Sequence, residues 1–277
     1  MKFTKMQGCG NDYVYVDCTK TNLDNIPETA IKVSDRHFGI GSDGLILIKS
    51  STNADFMMDM YNNDGSRGKM CGNGIRCVAK YVYDYGLTNK TKLLIETLSG
   101  IKELDLTVKD GIVTEVTVDM GTPITCPQEI PVVSEKEILK KEPILVGKEH
   151  YEITCVSMGN PHGVTFVEDA DSFPVEQYGR AVEINPLFPK KTNVEFVQIL
   201  SRNHIKMRVW ERGSGETLAC GTGACASVVA SILNGFCDRQ VKVSLLGGEL
   251  TVTWNEGDNR VTMTGPAAFS FDGVWLR

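Results

Sequence analysis

The segments Met70-Cys71-Gly72-Asn73-Gly74 and Ala219-Cys220-Gly221-Thr222-Gly223 decide the fold of this chain of 277 residues. Each places a Cys-Gly-x-Gly motif directly before a stretch in which apolar residues recur at helical spacing. The two cysteines are 149 positions apart (220 − 71). If the chain is internally duplicated, the same offset must relate other positions as well.

The offset of 149 residues holds at separate places along the chain without a gap. It pairs Tyr61-Asn62 with Trp210-Glu211, and Gly10-Asn11 with Gly159-Asn160. Agreement at several places in one register indicates two similar halves, and the period is far too long for a solenoid repeat. We therefore interpret the chain as a duplicated domain, in which each half contributes strands and a helix that begins at Cys-Gly-x-Gly.

The remaining pattern favours mixed sheets over a regular alternation of strands and helices. Runs rich in Val, Ile, Thr and Tyr outnumber helix-like runs, and short turns such as Lys109-Asp110-Gly111 join many of them. Helical spacing predicts helices in four stretches: Glu28–His37, Gly74–Tyr85, Val175–Ile184 and Gly223–Asn234. We predict an α+β fold of two pseudo-symmetric domains, each a mixed sheet plus helices, with the active site in the cleft between them.

The repeat also predicts the domain boundaries. The first domain is expected at 1–118, with the C-terminal strand 264–277 returning to it, and the second at 119–263. The stretch 121–143 has no clear period and contains four prolines, so we predict it to be a linker.

The composition excludes several classes of partner. The chain carries 29 basic and 35 acidic residues, a net charge of −6, which gives no general attraction to nucleic acid or to an anionic membrane. No apolar run approaches the ~18–20 residues of a membrane span, and the first ten residues lack the apolar core of a signal peptide. Nine cysteines, an odd number at irregular spacing, indicate reduced thiols and a cytoplasmic protein.

The repeated motif has chemical consequences. A cysteine at the start of a helix lies beside unsatisfied backbone N–H groups and the positive end of the helix dipole. Both lower the pKa of a thiol, so we expect Cys71 and Cys220 to be activated thiols. The glycines that follow let backbone N–H groups approach an anion, for which a carboxylate is a natural guest.

Two thiols that face each other across a cleft suit one class of reaction. One removes a proton from one face of a carbon while the other delivers a proton to the opposite face, and the carbon inverts. The pattern therefore predicts a racemase or an epimerase, for which this chemistry requires no cofactor and no metal. The sequence also contains no dinucleotide-binding fingerprint and no phosphate loop.

Other interpretations of the cysteines explain less. A cysteine hydrolase would pair one thiol with a histidine such as His162, but it leaves the second, equivalent thiol unexplained. A zinc site is disfavoured because Cys71/Cys77 and Cys220/Cys225 are six and five residues apart, not at Cys-x-x-Cys spacing. A disulfide between Cys71 and Cys220 is unusual at glycine-rich helix starts, and close helix packing alone explains the glycines but not the cysteines.

Seven motifs resemble those of the diaminopimelate epimerase family, and together they cover nearly the whole chain. They are Gly8-Cys9-Gly10-Asn11-Asp12, Tyr61-Asn62-Asn63-Asp64-Gly65-Ser66, Cys71-Gly72-Asn73-Gly74-Ile75-Arg76-Cys77, Gly159-Asn160-Pro161-His162, Thr192-Asn193-Val194-Glu195, Trp210-Glu211-Arg212-Gly213 and Ala219-Cys220-Gly221-Thr222-Gly223. Related proline and hydroxyproline racemases share the two-halved fold and the cysteine pair. The Asn-rich set and Glu211-Arg212 look more like the diaminopimelate enzymes.

The resemblance implies interconversion of LL- and meso-2,6-diaminopimelate without a cofactor, in lysine and peptidoglycan precursor biosynthesis. Cys71 and Cys220 would be the acid/base pair, with Cys220 as the base toward the LL isomer. His162 and Glu211 would adjust which thiol carries the proton. Backbone, amide and guanidinium groups would bind the diaminopimelate substrate: Asn11, Asn62, Gly72, Asn73, Asn160, Asn193, Glu211, Arg212, Gly221 and Thr222. A homodimer is also implied, with the apolar tail 269–275 as a candidate contact.

Three positions depart from the family pattern. Gly44 stands where some members carry a polar side chain that touches substrate, Gln7 stands where histidine is common, and Cys9 is a third thiol near the site motif. We interpret Asp43 and Asp64 as caps or turn residues and do not place them in the site. Two other functions stay open: an epimerase or racemase for another amino acid, such as proline, and a ligand-binding protein that lost catalysis.

Overall fold

In the computed structural model, which describes residues 1–147 and 149–276, the chain divides into two compact units. Unit 1 comprises Met1–Asp119 and Thr264–Arg277, and unit 2 comprises Met120–Met263. The first boundary therefore lies one residue later than the sequence repeat placed it. No helix among the described residues has both the length and the apolar character that a membrane span requires.

Within the described residues the chain forms four helices and eighteen strands. The helices are α1 (Ile26–Ser34), α2 (Gly72–Asp84), α3 (Val175–Glu183) and α4 (Gly221–Leu233). The strands are β1 (Lys2–Gly8), β2 (Asn11–Cys18), β3 (Gly44–Lys49), β4 (Phe56–Asn62), β5 (Arg67–Gly68), β6 (Lys92–Thr97), β7 (Gly100–Lys109), β8 (Ile112–Gly121), β9 (Glu142–Val146), β10 (Glu149–Ser157), β11 (Pro161–Phe166), β12 (Asn193–Ser201), β13 (His204–Glu211), β14 (Gly215–Thr217), β15 (Gln240–Leu245), β16 (Gly248–Trp254), β17 (Val261–Gly265) and β18 (Ala268–Val274).

Unit 1 is built on a mixed sheet with the strand order β18-β1-β2-β3-β4-β6-β7-β8. The pairs β2/β3 and β4/β6 are parallel, the other pairs are antiparallel, and the short β5 lies beside β4. Helix α1 connects the first parallel pair and α2 the second, because parallel strands need a crossover connection rather than a tight turn.

Unit 2 repeats this plan with the strand order β9-β10-β11-β12-β13-β15-β16. Its parallel pairs are β11/β12, connected through α3, and β13/β15, connected through α4. The short β14 lies beside β13, as β5 lies beside β4 in unit 1.

The register of the two sheets follows the 149-residue offset. Tyr13 pairs with Gly44 in unit 1, and the equivalent residues His162 and Asn193 pair in unit 2. Helices α2 and α4 begin and end at equivalent positions. The predicted α+β class, the mixed sheets and the internal duplication are therefore confirmed.

Helices α2 and α4 are buried along most of their length, so they form the centre of their units. A helix that is covered on all sides needs apolar or small side chains, or internal partners for its charged ones, as α2 has for Arg76 and Lys80. The α4 segment Ala224–Ala230 meets this requirement with alanine, cysteine, serine and valine only. Both helices begin two residues earlier than predicted, because the cysteines themselves, and not the second glycines, form the N-caps.

The predicted linker 121–143 contributes several buried side chains to the core of unit 2. Ile130, Val132 and Leu139 are buried in the same cluster as residues of β10, β12 and α3. The segment also makes an isolated bridge between Ile124 and Ser157. The prediction of a linker was wrong because its apolar side chains follow neither helical nor strand spacing, although they are buried all the same.

Strand β18 completes unit 1 from the far end of the chain. It pairs antiparallel with β1, and the Met1 ammonium donates to the Trp275 carbonyl at 2.8 Å. The Phe3 ring fills the space over Gly273, where a Cβ atom would lie only 2.4 Å from the ring. Strand β18, which belongs to the segment 264–277, thus lies at the edge of the unit 1 sheet next to β1.

Candidate active site

The two cysteines of the repeated motif are N-caps of equivalent helices. Cys71 precedes α2 and Cys220 precedes α4, each in an extended conformation. The Cys71 Sγ accepts the N–H of Gly74 at 3.3 Å, and the Cys220 Sγ accepts the N–H of Gly223 at 3.4 Å. Each sulfur thus satisfies one of the donors that a helix leaves open at its N-terminus.

The glycine at the third helical position is required for different reasons in the two units. A Cβ atom on Gly74 would lie 2.7 Å from Cδ1 of Ile46, whereas a Cβ atom on Gly223 would lie 2.7 Å from Oε1 of Glu195. At both positions a Cβ atom would have to displace a side-chain atom of the sheet, so both helix starts lie close to the sheet. The N–H groups of their first turns have no acceptor within an α-helix, so they can bind a carboxylate.

An amide lies beside the thiol of unit 1, and a carboxylate binds the other end of that amide. The Cys71 thiol donates to Oδ1 of Asn11 at 3.3 Å, and Asn11 Nδ2 donates to Oδ2 of Asp43 at 2.7 Å. The other oxygen of Asp43 accepts from the exposed Arg36 at 3.0 Å. Burial raises the pKa of Asp43. The structure thus brings Asp43, which the sequence left outside the site, next to Asn11.

The thiol of unit 2 lies among carboxylates instead. Burial first, and then the negative charges of Glu211 and Glu195, raise the pKa of Cys220 well above its ordinary value. The expectation of an activated thiol is therefore wrong for Cys220, because desolvation and like charge outweigh the helix N-terminus. The Thr222 hydroxyl lies 3.5 Å from its sulfur.

Glu211 is itself an unusual carboxylate. Burial raises its pKa, and a hydrogen bond from Thr217 at 2.5 Å and a hydrogen bond with Cys220 oppose that rise. Since a carboxyl group with a raised pKa exchanges its proton more readily near neutral pH, Glu211 and Cys220 form a pair of groups that compete for protons.

A buried contact between a histidine and a carboxylate lies next to the same thiol. His162 Nδ1 lies 2.7 Å from Glu195 Oε1, and both side chains are fully buried. His162 Nε2 lies 3.0 Å from Asn160 Oδ1, and Asn160 Nδ2 donates to the Thr222 hydroxyl at 3.3 Å. Each ring nitrogen therefore faces a side-chain oxygen. A continuous set of contacts thus runs from Glu195 to the hydroxyl beside Cys220.

Asn193 holds the backbone that carries Arg212. Its Oδ1 accepts the N–H of Arg212 at 3.0 Å, and its Nδ2 donates to the carbonyl of Pro161 at 2.8 Å. The Arg212 guanidinium donates to the Lys190 carbonyl at 3.1 Å. Both ends of the Asn193 amide therefore have protein partners, so its main contribution is to position Arg212.

The remaining predicted site residues differ in exposure. Asn62 lies at the end of β4, where its amide donates to the Ser66 hydroxyl at 2.9 Å. Asn73 is buried, and among the described residues its Oδ1 has no hydrogen-bond partner. Any contact of Asn73 with a ligand carboxylate is therefore expected from its backbone N–H, as for Gly72.

Two alternative roles of the cysteines, a disulfide and a zinc site, have no matching geometry in residues 1–147 and 149–276. None of the nine cysteines there forms a disulfide. These residues also contain no group of three or more His, Cys, Asp or Glu side chains with the geometry to hold a metal ion. Each unit instead offers one thiol at the start of a helix, next to backbone N–H donors. Such a set is suited to acid/base chemistry on the α-carbon of a carboxylic acid.

A family model described as diaminopimelate epimerase matches residues 3–126 and 154–270. This chain belongs to the diaminopimelate epimerase family. The diaminopimelate epimerase of Acetivibrio thermocellus is 58% identical over 273 residues, which cover 99% of this chain and 98% of that protein. The diaminopimelate epimerase of Methanococcus maripaludis strain S2 is 56% identical over 273 residues, which cover 99% of each protein.

A solved structure shows that the fold is shared more widely than the family. The crystal structure of a PhzF-family phenazine biosynthesis protein from Bacillus anthracis matches with a TM-score of 0.71 and covers 99% of both chains. The two sequences are only 17% identical, so this likeness shows the fold alone. Membership of the epimerase family confirms the resemblance that the motifs indicated and the predicted enzyme class, an amino-acid epimerase.

Sequence reasoning missed three residues that the structure places around the thiols. Glu195 ends the motif Thr192-Asn193-Val194-Glu195, but nothing in the sequence indicates that it lies beside Cys220 and His162. Tyr13 hydrogen-bonds with Cys71, and the repeat could have found it, because the 149-residue offset makes it equivalent to His162. For Asp43 the sequence carried no comparable signal.

Proposed function

We propose that this protein interconverts LL- and meso-2,6-diaminopimelate by a two-thiol acid/base mechanism without a cofactor. One observation carries the proposal: the same Cys-capped helix start, with the same sulfur contact, occurs in both units at a 149-residue offset. The family membership supports the choice of substrate.

The reaction needs one thiolate and one thiol. The thiolate removes the proton from the α-carbon of the substrate, and the thiol delivers its own proton to the opposite face of the same carbon. After one turnover the two sulfurs have exchanged protonation states, so no proton is gained or lost overall. That the two thiols reach one carbon is part of the proposal.

The surroundings of the sulfurs favour one of the two starting states. Burial and the charges of Glu211 and Glu195 keep the proton on Cys220, so Cys71 is the base in the favoured state. The assignment of Cys220 as the base toward the LL isomer stays a prediction. It requires Cys220 to lose its proton first, and the neighbouring carboxylates oppose this loss.

The substrate carboxylate next to the reacting carbon is bound by the first turns of α2 and α4. Backbone N–H groups of Gly72, Asn73, Gly221 and Thr222 point from these turns, and they stabilise the charge that develops as the proton leaves. The Thr222 hydroxyl adds a donor beside the sulfur of Cys220.

The non-reacting end of the substrate carries an ammonium and a carboxylate. Arg212 binds this carboxylate through its guanidinium, and Asn193 fixes the Arg212 backbone. Glu211 and the amide oxygens of Asn62 and Asn160 are acceptors for the ammonium, and Asn11 contributes beside Cys71.

The working form is a cytoplasmic homodimer, with no nucleic-acid or membrane partner. Exposed apolar side chains of β18, namely Phe269, Phe271 and Val274, support a contact between two copies at this strand. The net charge of −6 supports the absence of a nucleic-acid partner. Sedimentation of the purified protein measures the oligomeric state directly.

The experiment that tests the function is proton NMR of the reduced protein with LL-diaminopimelate in heavy water, alongside the Acetivibrio thermocellus relative as a positive control. We expect the α-proton signal to disappear while the meso isomer forms. Loss of the signal without the meso isomer would contradict two-face proton transfer. No exchange at all, with the control active, would exclude this substrate, and proline and hydroxyproline would be tested next.

A further inference from the structure

Tyr13 lies beside the reacting sulfur of unit 1, although no step described so far uses it. It belongs to β2, is buried, and pairs in parallel register with Gly44 of β3. A Cβ atom on Gly44 would lie 2.8 Å from Cε1 of Tyr13 and 2.2 Å from the carbonyl oxygen of Tyr61. The absence of a side chain at position 44 therefore leaves the space that the Tyr13 ring occupies.

The 149-residue offset makes Tyr13 of unit 1 equivalent to a ring that lies near the thiol of unit 2. Residue 13 plus the offset of 149 is His162, which contacts Asn160, the equivalent of Asn11. In unit 1 the corresponding ring lies beside Asn11, whose Oδ1 accepts from the Cys71 thiol. Both units thus carry a ring with a polar hydrogen at the same place next to the site.

The Tyr13 hydroxyl interacts with the side chains of this site. Its partners are Cys71 and Asn11. Burial, followed by the charge of Cys71, raises the pKa of Tyr13 well above its ordinary value. The phenol therefore keeps its proton and can donate it in a hydrogen bond throughout the pH range in which a thiol ionises.

We propose that Tyr13 is a further catalytic residue, whose hydroxyl donates a hydrogen bond to the Cys71 sulfur when that thiol has lost its proton. With the proton present, the sulfur donates to Asn11 instead. Both protonation states of Cys71 then have a partner, and the thiolate is stabilised by Tyr13 together with the N–H of Gly74. This inference rests on the proposed function, because it assigns Cys71 a thiolate state.

Other ionisable groups of unit 1 also act on this thiol. Tyr15 of β2 and Cys77 of α2 interact electrostatically with Cys71, and Asp43 acts on Tyr13. Tyr15 is fully buried as well, but its hydroxyl donates to the Gly74 carbonyl at 3.3 Å. Tyr15 therefore offers a matched control, a buried phenol on the same strand that bonds to the same helix.

The test is the pH dependence of Cys71 alkylation by iodoacetamide, followed by mass spectrometry of the Cys71 peptide. In Tyr13→Phe we expect the midpoint of the alkylation rate to rise by about one pH unit, the typical effect of one hydrogen bond to a charged group. Tyr15→Phe should shift the midpoint much less than Tyr13→Phe, because the Tyr15 hydroxyl bonds to the Gly74 carbonyl and not to the sulfur, and the Cys220 peptide serves as an internal reference. Superposition of the Tyr13→Phe and wild-type profiles would overturn the proposal.

A second variant keeps the test valid if Tyr13→Phe does not fold. A 3-fluorotyrosine placed at position 13 is a stronger donor, so the midpoint for Cys71 should fall, and an unchanged midpoint would again overturn the proposal. Epimerase activity is measured in parallel, with about a tenfold loss of kcat/KM expected in Tyr13→Phe. If the wild type alkylates as described but lacks activity, the proposed function fails while the Tyr13 hydrogen bond stands.

Discussion

The starts of α2 and α4 share a backbone conformation, but the side chains that surround their two cysteines are chemically different. In both, a cysteine caps the helix and its sulfur accepts the N–H three residues on. Around Cys71 lie an amide and a phenol, whereas around Cys220 lie two carboxylates and an imidazole. The two units thus share the helix start that positions the thiol. The side chains that determine the protonation state of the thiol differ between them.

This difference suits a reaction that begins with one thiol ionised and the other not. If the two surroundings were equal, half of the protein molecules would be expected to carry the proton on the wrong sulfur. Burial and the charges of Glu211 and Glu195 raise the pKa of Cys220, so in the proposed mechanism the starting state has the proton on Cys220.

The largest effect is expected from the shared part, in the variants Cys71→Ser and Cys220→Ser. Serine is a good N-cap, so each variant should retain its fold, with stability within about 1 kcal/mol of the wild type. A serine hydroxyl does not ionise in this range, and kcat should fall by about a thousandfold or more in both. Epimerisation is followed by NMR and folding by thermal unfolding. Substantial activity in either folded variant would contradict the equal need for both thiols.

A smaller effect is expected from Glu211→Gln, which removes one carboxylate from beside Cys220. Without that negative charge the pKa of Cys220 should fall, so its alkylation midpoint moves to lower pH. Glu216→Gln is the matched control, because Glu216 pairs with Arg208 on the same strand pair. The midpoint for Cys71 should not move in either variant.

The same Glu211→Gln variant also has an expected stability signature. The folded pKa of Glu211 lies above its unfolded value, so ionisation of this carboxyl group destabilises the folded protein. The wild type should therefore lose stability relative to the variant as pH rises from the unfolded pKa of Glu211 through the folded one, and not below it. Denaturant unfolding at several pH values measures this. A difference that is equal at all pH values would show that ionisation of Glu211 is not its cause.

The smallest effect is expected on the free energy of unfolding, when the glycines at the two helix starts are replaced by alanine. In Gly74→Ala the new methyl group meets the end of the flexible Ile46 side chain, whereas in Gly223→Ala it meets the Glu195 oxygen held by His162. We expect Gly223→Ala to cost about 1–3 kcal/mol and Gly74→Ala to cost less. Urea unfolding of both variants gives the comparison. A larger loss in Gly74→Ala would mean that the His162–Glu195 pair is easily displaced.

The backbone part of the site could be predicted from the sequence. The offset of 149 residues and the Cys-Gly-x-Gly motifs are local features of the chain, and they determine where the helices begin and which residues are equivalent. The helix starts differed by two residues only because a cysteine, which is not a common N-cap, occupies that position in both units.

The direction of the Cys220 pKa could not be predicted in the same way. It depends on burial, on Glu211 and on Glu195. Glu195 lies 25 positions away in the chain (220 − 195) and reaches the thiol only through strand pairing and close packing at Gly223. The helix-dipole argument was sound for an exposed helix start. It failed here because it left out the loss of solvent.

The prediction of a linker at 121–143 was wrong for a related reason. Prolines and missing periodicity are typical of linkers, but they do not report burial. Ile130, Val132 and Leu139 are buried one at a time by an irregular backbone. Periodicity detects only side chains that a helix or strand presents at regular intervals.

Strand β18 has a consequence for how the protein is made. The first strand of unit 1, β1, lies between β2 and β18, and β18 follows unit 2 in the chain. During synthesis β1 therefore leaves the ribosome long before its second neighbour, with one row of backbone donors and acceptors unpaired. Unit 2 is continuous and can fold as soon as it emerges, whereas unit 1 waits for its last residues. The half that is translated first is thus the half that is finished last.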